Sequence, residues 1–185
     1  MRTDAVGGRC QTLRMTTRRL VLVRHAKSVR EGDDRDRPLA NRGKAEAPVI
    51  GRWLAERQVV PDRVVVSPAR RAQQTWTLAS AELERAGSGP AAPPEVDERV
   101  YGNTVDDLLA VIRDTPDGVS TLALVGHNPA MQDLALELDD GTGDPAGRAE
   151  LSGKYPTSAV AVFAVAEPWA AAGKGTLTDF GVPRN

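Results

Sequence analysis

The sequence predicts an α/β fold in three layers, a mostly parallel central sheet with helices on both faces, and two observations predict it. Short β-branched runs recur at Arg19 to Val23 (RLVLV), Arg63 to Val66 (RVVV) and Thr121 to Val125 (TLALV). Each is apolar after its first residue, the pattern of a strand covered on both faces rather than one alternating between core and water. Each is also separated from the next by segments with helical spacing, so strands and helices alternate along the chain.

The helices follow from caps and periodicity. Ser67-Pro68 and Asn128-Pro129 each offer an N-cap residue before a proline at the first helical position, predicting helices from about Pro68 to Leu83 and from about Pro129 to Leu138. Another is expected from Lys44 to Glu56 with Ala45, Val49, Trp53 and Leu54 on its inward face, and another from Val105 to Arg113 with Leu108, Leu109 and Ile112 inward. Ala159 to Val165 and Gly175 to Phe180 read as closing strands. Ser88 to Pro94 and Asp139 to Gly147, rich in Gly, Pro and Asp, read as loops.

At 185 residues, with 41% hydrophobic and 26% charged residues, the chain suits one globular domain, here expected over residues 18–185. Residues 1–17 mix Gly, Thr and Arg without periodicity and read as a loose extension or the product of an upstream start. A net charge of -1 gives no footprint for nucleic acid. One cysteine, Cys10, excludes an intrachain disulfide and a Cys-based zinc site. With no signal-peptide or membrane-spanning run, a cytoplasmic protein with no membrane partner is expected.

In an open parallel sheet, ligands bind beyond the carboxyl ends of the strands. The three predicted strand ends carry Arg24-His25, Ser67 to Arg71, and Gly126-His127, so both histidines of the chain fall at one edge with at least two arginines. A structural histidine has no reason to recur at corresponding strand ends. Ser67 is read as an N-cap rather than a ligand contact, and Asp36 with Arg37 as an ordinary surface pair, the alternative being that they order the loop over the pocket.

Five segments, LVLVRHAKS (Leu20 to Ser28), DRPLANRG (Asp36 to Gly43), VSPARRAQQT (Val66 to Thr75), LVGHNPA (Leu124 to Ala130) and YPTSAVAVF (Tyr155 to Phe163), resemble in content and order those of the SixA-like phosphohistidine phosphatases. These belong to the histidine phosphatase superfamily, whose fold is called phosphoglycerate mutase-like. The resemblance runs from about Leu20 to Arg184. It implies His25 as a nucleophile that takes a phosphoryl group, Arg24 and Arg71 as phosphate-gripping arginines, His127 as a second donor to the phosphoryl oxygens, and Arg70 as a variable position. The superfamily triplet Arg-His-Gly stands here as Arg24-His25-Ala26, similar to a variant of this branch. Lys27 and Ser28 are candidates for the pocket mouth, against simple solvation. Other branches use a carboxylate after the third core segment to protonate the leaving group. Glu98 resembles that position, the alternative being a solvated loop carboxylate, and Asp97 beside it is not favoured.

These residue types suit phosphoryl transfer, in which catalysis is largely positioning and stabilisation of negative charge. Arginine's planar fork holds two oxygens at once and stays charged. The resemblance therefore implies a metal-independent phosphatase without cofactor, forming a phosphohistidine at His25 and acting on a phosphorylated protein, one bearing phosphohistidine. The alternatives are a phosphatase of a small phosphorylated metabolite and a non-catalytic phosphate-binding module.

Overall fold

The computed structural model describes residues 17–89, 93–102 and 104–184; all but the last residue of the extension expected over residues 1–17, and part of the loop expected over Ser88 to Pro94, lie outside the described residues. The elements follow in chain order: β1 (Arg18–Arg24), α1 (Asn41–Glu56), β2 (Arg63–Val66), α2 (Arg70–Arg85), β3 (Glu95–Val96), α3 (Glu98–Gly102), α4 (Val105–Arg113), β4 (Thr121–Gly126), α5 (Ala130–Leu138), α6 (Pro145–Gly153), β5 (Val160–Val165) and β6 (Thr176–Gly181). They build one six-stranded sheet in the order β3-β2-β4-β1-β5-β6. The pairings among β3, β2, β4 and β1 are parallel. β5 runs antiparallel to both of its neighbours, so it alone is reversed.

The apolar runs are buried on both faces, and the pleat divides their side chains between two cores. Leu20 and Leu22 of β1 join Leu122 and Leu124 of β4 on the face covered by α4, α5 and α6. Val21 and Val23 join Ala123 and Val125 on the face covered by α1 and α2. Trp169 anchors the first core, its indole N–H donating to Val119 O at 2.8 Å, and Trp76 is buried in the second.

Three sequence expectations need correction. The buried stripe of α1 is Gly43, Glu46, Ala47, Ile50, Gly51 and Leu54, while Ala45 is exposed and Val49 and Trp53 are only half-buried. The reason is backbone approach. A Cβ at Gly51 would sit 2.0 Å from Ala79 O of α2, and one at Gly43 would sit 2.1 Å from Lys27 O. The glycines therefore face inward, and Trp53 is rotated to the sheet edge, beside Gly181 and beneath the Arg57 guanidinium at 3.9 Å. Helix α2 starts at Arg70, two residues later than the Ser-Pro signal predicts, with Ala69 as its N-cap. The segment read as a loop contains the start of α6, where Asp144 caps the N–H groups of Ala146 and Gly147 and Pro145 follows it. That is the same cap-proline signal, here set within a Gly- and Asp-rich stretch.

Gly51 gives this packing a test. In an open helix, Gly→Ala gains about 1 kcal/mol. Here the added methyl would drive α1 off α2, and overpacking of this kind costs about 1–3 kcal/mol. Urea unfolding should therefore show Gly51→Ala to be less stable than the parent. Gly118→Ala, whose Cβ meets nothing within 4 Å, should lie within about 0.5 kcal/mol of the parent. A Gly51→Ala protein as stable as the parent would contradict the close approach.

Candidate active site

Three parallel strands end side by side, and the chain carries polar residues one position beyond each. The register sets Arg24 beside Gly126 and Val66 beside Val125. The ladder then extends one step, with His25 N–H donating to Gly126 O and Ser67 N–H to Val125 O, each at 3.0 Å. The His25 and His127 rings are thereby brought to 5.0 Å between centroids, tilted by 56°. β5 arrives at the same edge from the opposite direction, and Ser158 N–H donates to the carbonyls of Arg24 and His25 at 3.2 Å.

His25 is 8% exposed. Its Nδ1 lies 2.8 Å from Ala26 O, a contact that only a protonated Nδ1 can make as a hydrogen bond, which leaves the lone pair on Nε2. Burial foremost, with Arg71, Arg24 and Arg37 adding repulsion against the bond to Ala26, holds the imidazole down to about 4. Burial, then His25 and Arg71, hold His127 down to about 3. Both rings are neutral at physiological pH, so His25 is suited to nucleophilic attack. The larger contribution of burial follows from the depth at which β1 ends.

Arg24 donates to Tyr155 O at 2.7 Å, and burial draws its guanidinium below the ordinary value. Its Nε, like Nδ1 of His127, is buried without a hydrogen-bond partner among the described residues. Arg71 is 6% exposed at the first turn of α2, whereas Arg70 beside it is exposed. Thr75, one turn on, ties α2 to the nucleophile segment: its hydroxyl donates to Arg71 O at 2.6 Å and accepts from Ala26 N–H at 3.0 Å.

These groups line one open cleft of about 540 Å3. Of the candidate residues, it brings together Arg24, His25, Lys27, Ser28, Arg71 and His127. Glu98 is not in its lining. That carboxylate is 68% exposed and bonded to both ends of the Arg35 guanidinium at 3.0 and 2.8 Å. Asp97 is bound to Arg99.

Ser67 is a site residue rather than the N-cap of α2. It is fully buried, its Oγ lying 2.7 Å from His127 Nε2 and accepting from Ala69 N–H at 3.2 Å. Arg37 pairs with Asp34, not with Asp36. Sequence reasoning missed Tyr101, which presents its ring edge-on to His127 at 5.8 Å, and Asp34. The tyrosine stands three residues after Glu98, a position the family resemblance singles out, so a signal for it was present. Asp34 is one of several loop carboxylates and carried none.

Known proteins can be set beside this geometry. The sequence pattern of the Histidine phosphatase superfamily (branch 1) matches residues 20–128. An uncharacterized protein of Mycobacterium tuberculosis is 40% identical over 167 residues, spanning 88% of this chain and 100% of the relative. The phosphohistidine phosphatase SixA of Escherichia coli is 28% identical over 157 residues, 84% of this chain and 88% of the relative. A structure assigned to the phosphohistidine phosphatase SixA of Nakamurella multipartitia superposes with a TM-score of 0.73 at 30% identity, covering 90% of this chain and 96% of that one.

Because the chain has only two histidines, their titration can be read directly. In NMR spectra of the folded protein both rings should stay neutral to about pH 5, titrating at about 4 and about 3, while the unfolded chain titrates near about 6.5. As pH falls from about 6.5 towards 4, the unfolded chain takes up protons that the folded chain does not. Stability should therefore fall with pH across that window. A ring titrating near 6.5 in the folded protein would contradict the burial described here.

Proposed function

The chain belongs to the histidine phosphatase superfamily and is a phosphatase; from that premise we propose that it hydrolyses phosphohistidine on a protein substrate by way of a phosphoryl group carried on His25. The observation that carries the reading is the neutral His25 ring, with Nδ1 fixed by Ala26 O and Nε2 free, set in a cleft shared with Arg24, Arg71 and His127.

Arg24 and Arg71 grip the non-bridging oxygens, and His25 Nε2 attacks phosphorus as the bond to the leaving group breaks. If the Ser67 hydroxyl donates to Nε2 of His127, that ring's proton sits on Nδ1. The second histidine then has a donor left for phosphoryl oxygen. Water next attacks phosphorus, the P–N bond breaks, and its electron pair returns to Nε2.

What supports a protein substrate is the open shape of the cleft, which admits a side chain projecting from a folded partner, together with the likeness to SixA proteins. A phosphoramidate also asks less of a leaving-group acid than a sugar alkoxide does. kcat/KM for a phosphohistidine-bearing protein is therefore expected to exceed that for sugar phosphates.

Rapid quench with labelled substrate should trap an acid-labile, base-stable phosphoryl group, and His25→Ala should abolish both it and turnover. Arg71→Ala should lower kcat/KM by about 100- to 1,000-fold, with Arg70→Ala close to the parent. A trapped group that persists in His25→Ala, equal effects of the two arginine changes, or a sugar phosphate as the better substrate would overturn the reading.

A further inference from the structure

Among the described residues, Asp34 is the one carboxylate in the lining of the cleft. Arg71 gives it both ends of its fork: Nη1 donates to the Asp34 carbonyl and Nη2 to Oδ2 at 3.0 Å. The Tyr101 hydroxyl donates to the same Oδ2 at 2.9 Å, and Arg37 pairs with Oδ1. Asp34 thus already makes the contacts that a phosphoryl group would take from Arg71. Its grip is on the surface, however, since the side chain is 50% exposed. It stands on the connection between β1 and α1, two residues after Gly32, whose φ of +96° lies in the left-handed region that favours glycine. This arrangement suits a group that is held until something displaces it.

We propose that Asp34 is the acid–base residue of the reaction, and that an arriving phosphoryl group, by taking over Arg71, is what frees it to act. The proposal rests on the phosphatase reading and deepens it. While held, the carboxyl stays down at about 2: burial raises it, but the bonds from Arg71 and Tyr101 and the charges of Arg71 and Arg37 outweigh that. In this state Asp34 has no proton to give.

Binding of a phosphate monoester monoanion removes Arg71 from the carboxylate and sets negative charge beside it, and both changes raise its affinity for a proton. The proton passes from the phosphoryl group to Asp34. His25 Nε2 then forms its bond to phosphorus while the bond to the leaving group breaks, and the leaving atom's electron pair takes the proton from Asp34. In the second half, water forms its bond to phosphorus, the P–Nε2 bond breaks with its pair returning to His25, and the proton lost by water goes to the Asp34 carboxylate. Release of phosphate carries that proton away, and Arg71 takes Asp34 back.

Asp34→Asn separates the two parts of the proposal, because an amide competes weakly for Arg71 and cannot carry the proton. Inorganic phosphate, titrated calorimetrically, should bind Asp34→Asn about three- to fivefold more tightly than the parent, the scale of one exposed ion pair removed. kcat for an alkyl phosphate should fall by about 100-fold or more, and that for phosphoimidazole by less. Asp36→Asn, on the same loop and outside the cleft lining, should change neither quantity more than about twofold.

Weaker phosphate binding in Asp34→Asn, an unchanged kcat for the alkyl ester, or the same changes in Asp36→Asn would each overturn the proposal. Failure of the phosphatase reading would look different: the parent would turn over none of these compounds and leave no phosphoryl group on His25, whereas the phosphate titration would still be measurable.

Discussion

The site depends on the parallel pairing of β1 with β4. That ladder runs from Arg19 beside Thr121 to Arg24 beside Gly126, and the interior residues Leu20 to Val23 and Leu122 to Val125 are fully buried. A one-residue slip would reverse which face each side chain meets, exchanging the leucine core for the valine core. The cores that hold the register therefore also hold the distance between the two histidines, since each ring lies one residue past the last pair. No contact between the rings has to be strong for them to meet.

Ending strands of this depth in charged residues has a consequence. The Arg24 and Arg71 charges are carried into a partly dry edge, where an unpaired guanidinium is costly. Each is given something to hold: the Tyr155 carbonyl for Arg24, and Asp34 for Arg71. The same burial works in the opposite sense on the histidines, for which the uncharged form is the cheaper one. A single feature of the fold thus supplies cations that stay charged and imidazoles that stay neutral, because arginine's affinity for its proton is too high for burial to remove it and histidine's is not.

How far this could be read from the sequence follows the range of each interaction. The strands were legible because continuous β-branched runs have few other meanings, and the strand-end residues came with them. The inward face of α1 was misread because its contacts are made by Gly43 and Gly51, and hydrophobic periodicity gives no weight to glycine. The separation of Arg71 from Arg70 was readable only through the family resemblance, since a helix start exposes either one. Ser67 was assigned to a cap on local grammar, while its partner His127 lies 60 residues away in the chain. Glu98 and Asp34 mark the limit. Both are loop carboxylates, and only the folded chain reveals that Arg35 takes the first at the surface while Arg71 draws the second into the cleft.

Whether Asp34 blocks this cleft or merely fills it is a question of magnitudes. An ion pair with a half-exposed carboxylate is worth about 0.2–1 kcal/mol, because water competes for both partners. Oxygens of a phosphoryl group held by arginine forks form shorter, charge-assisted bonds of roughly twice the neutral strength, and Arg24 and His127 would hold the same group. The substrate therefore displaces Asp34 at a cost of no more than about fivefold in affinity, by the same scale. In return, Arg71 is kept paired and oriented between turnovers instead of standing as a buried charge without a partner. An internal carboxylate of this strength is weak enough to yield and strong enough to keep the site preorganised, and its half-exposed position sets that balance.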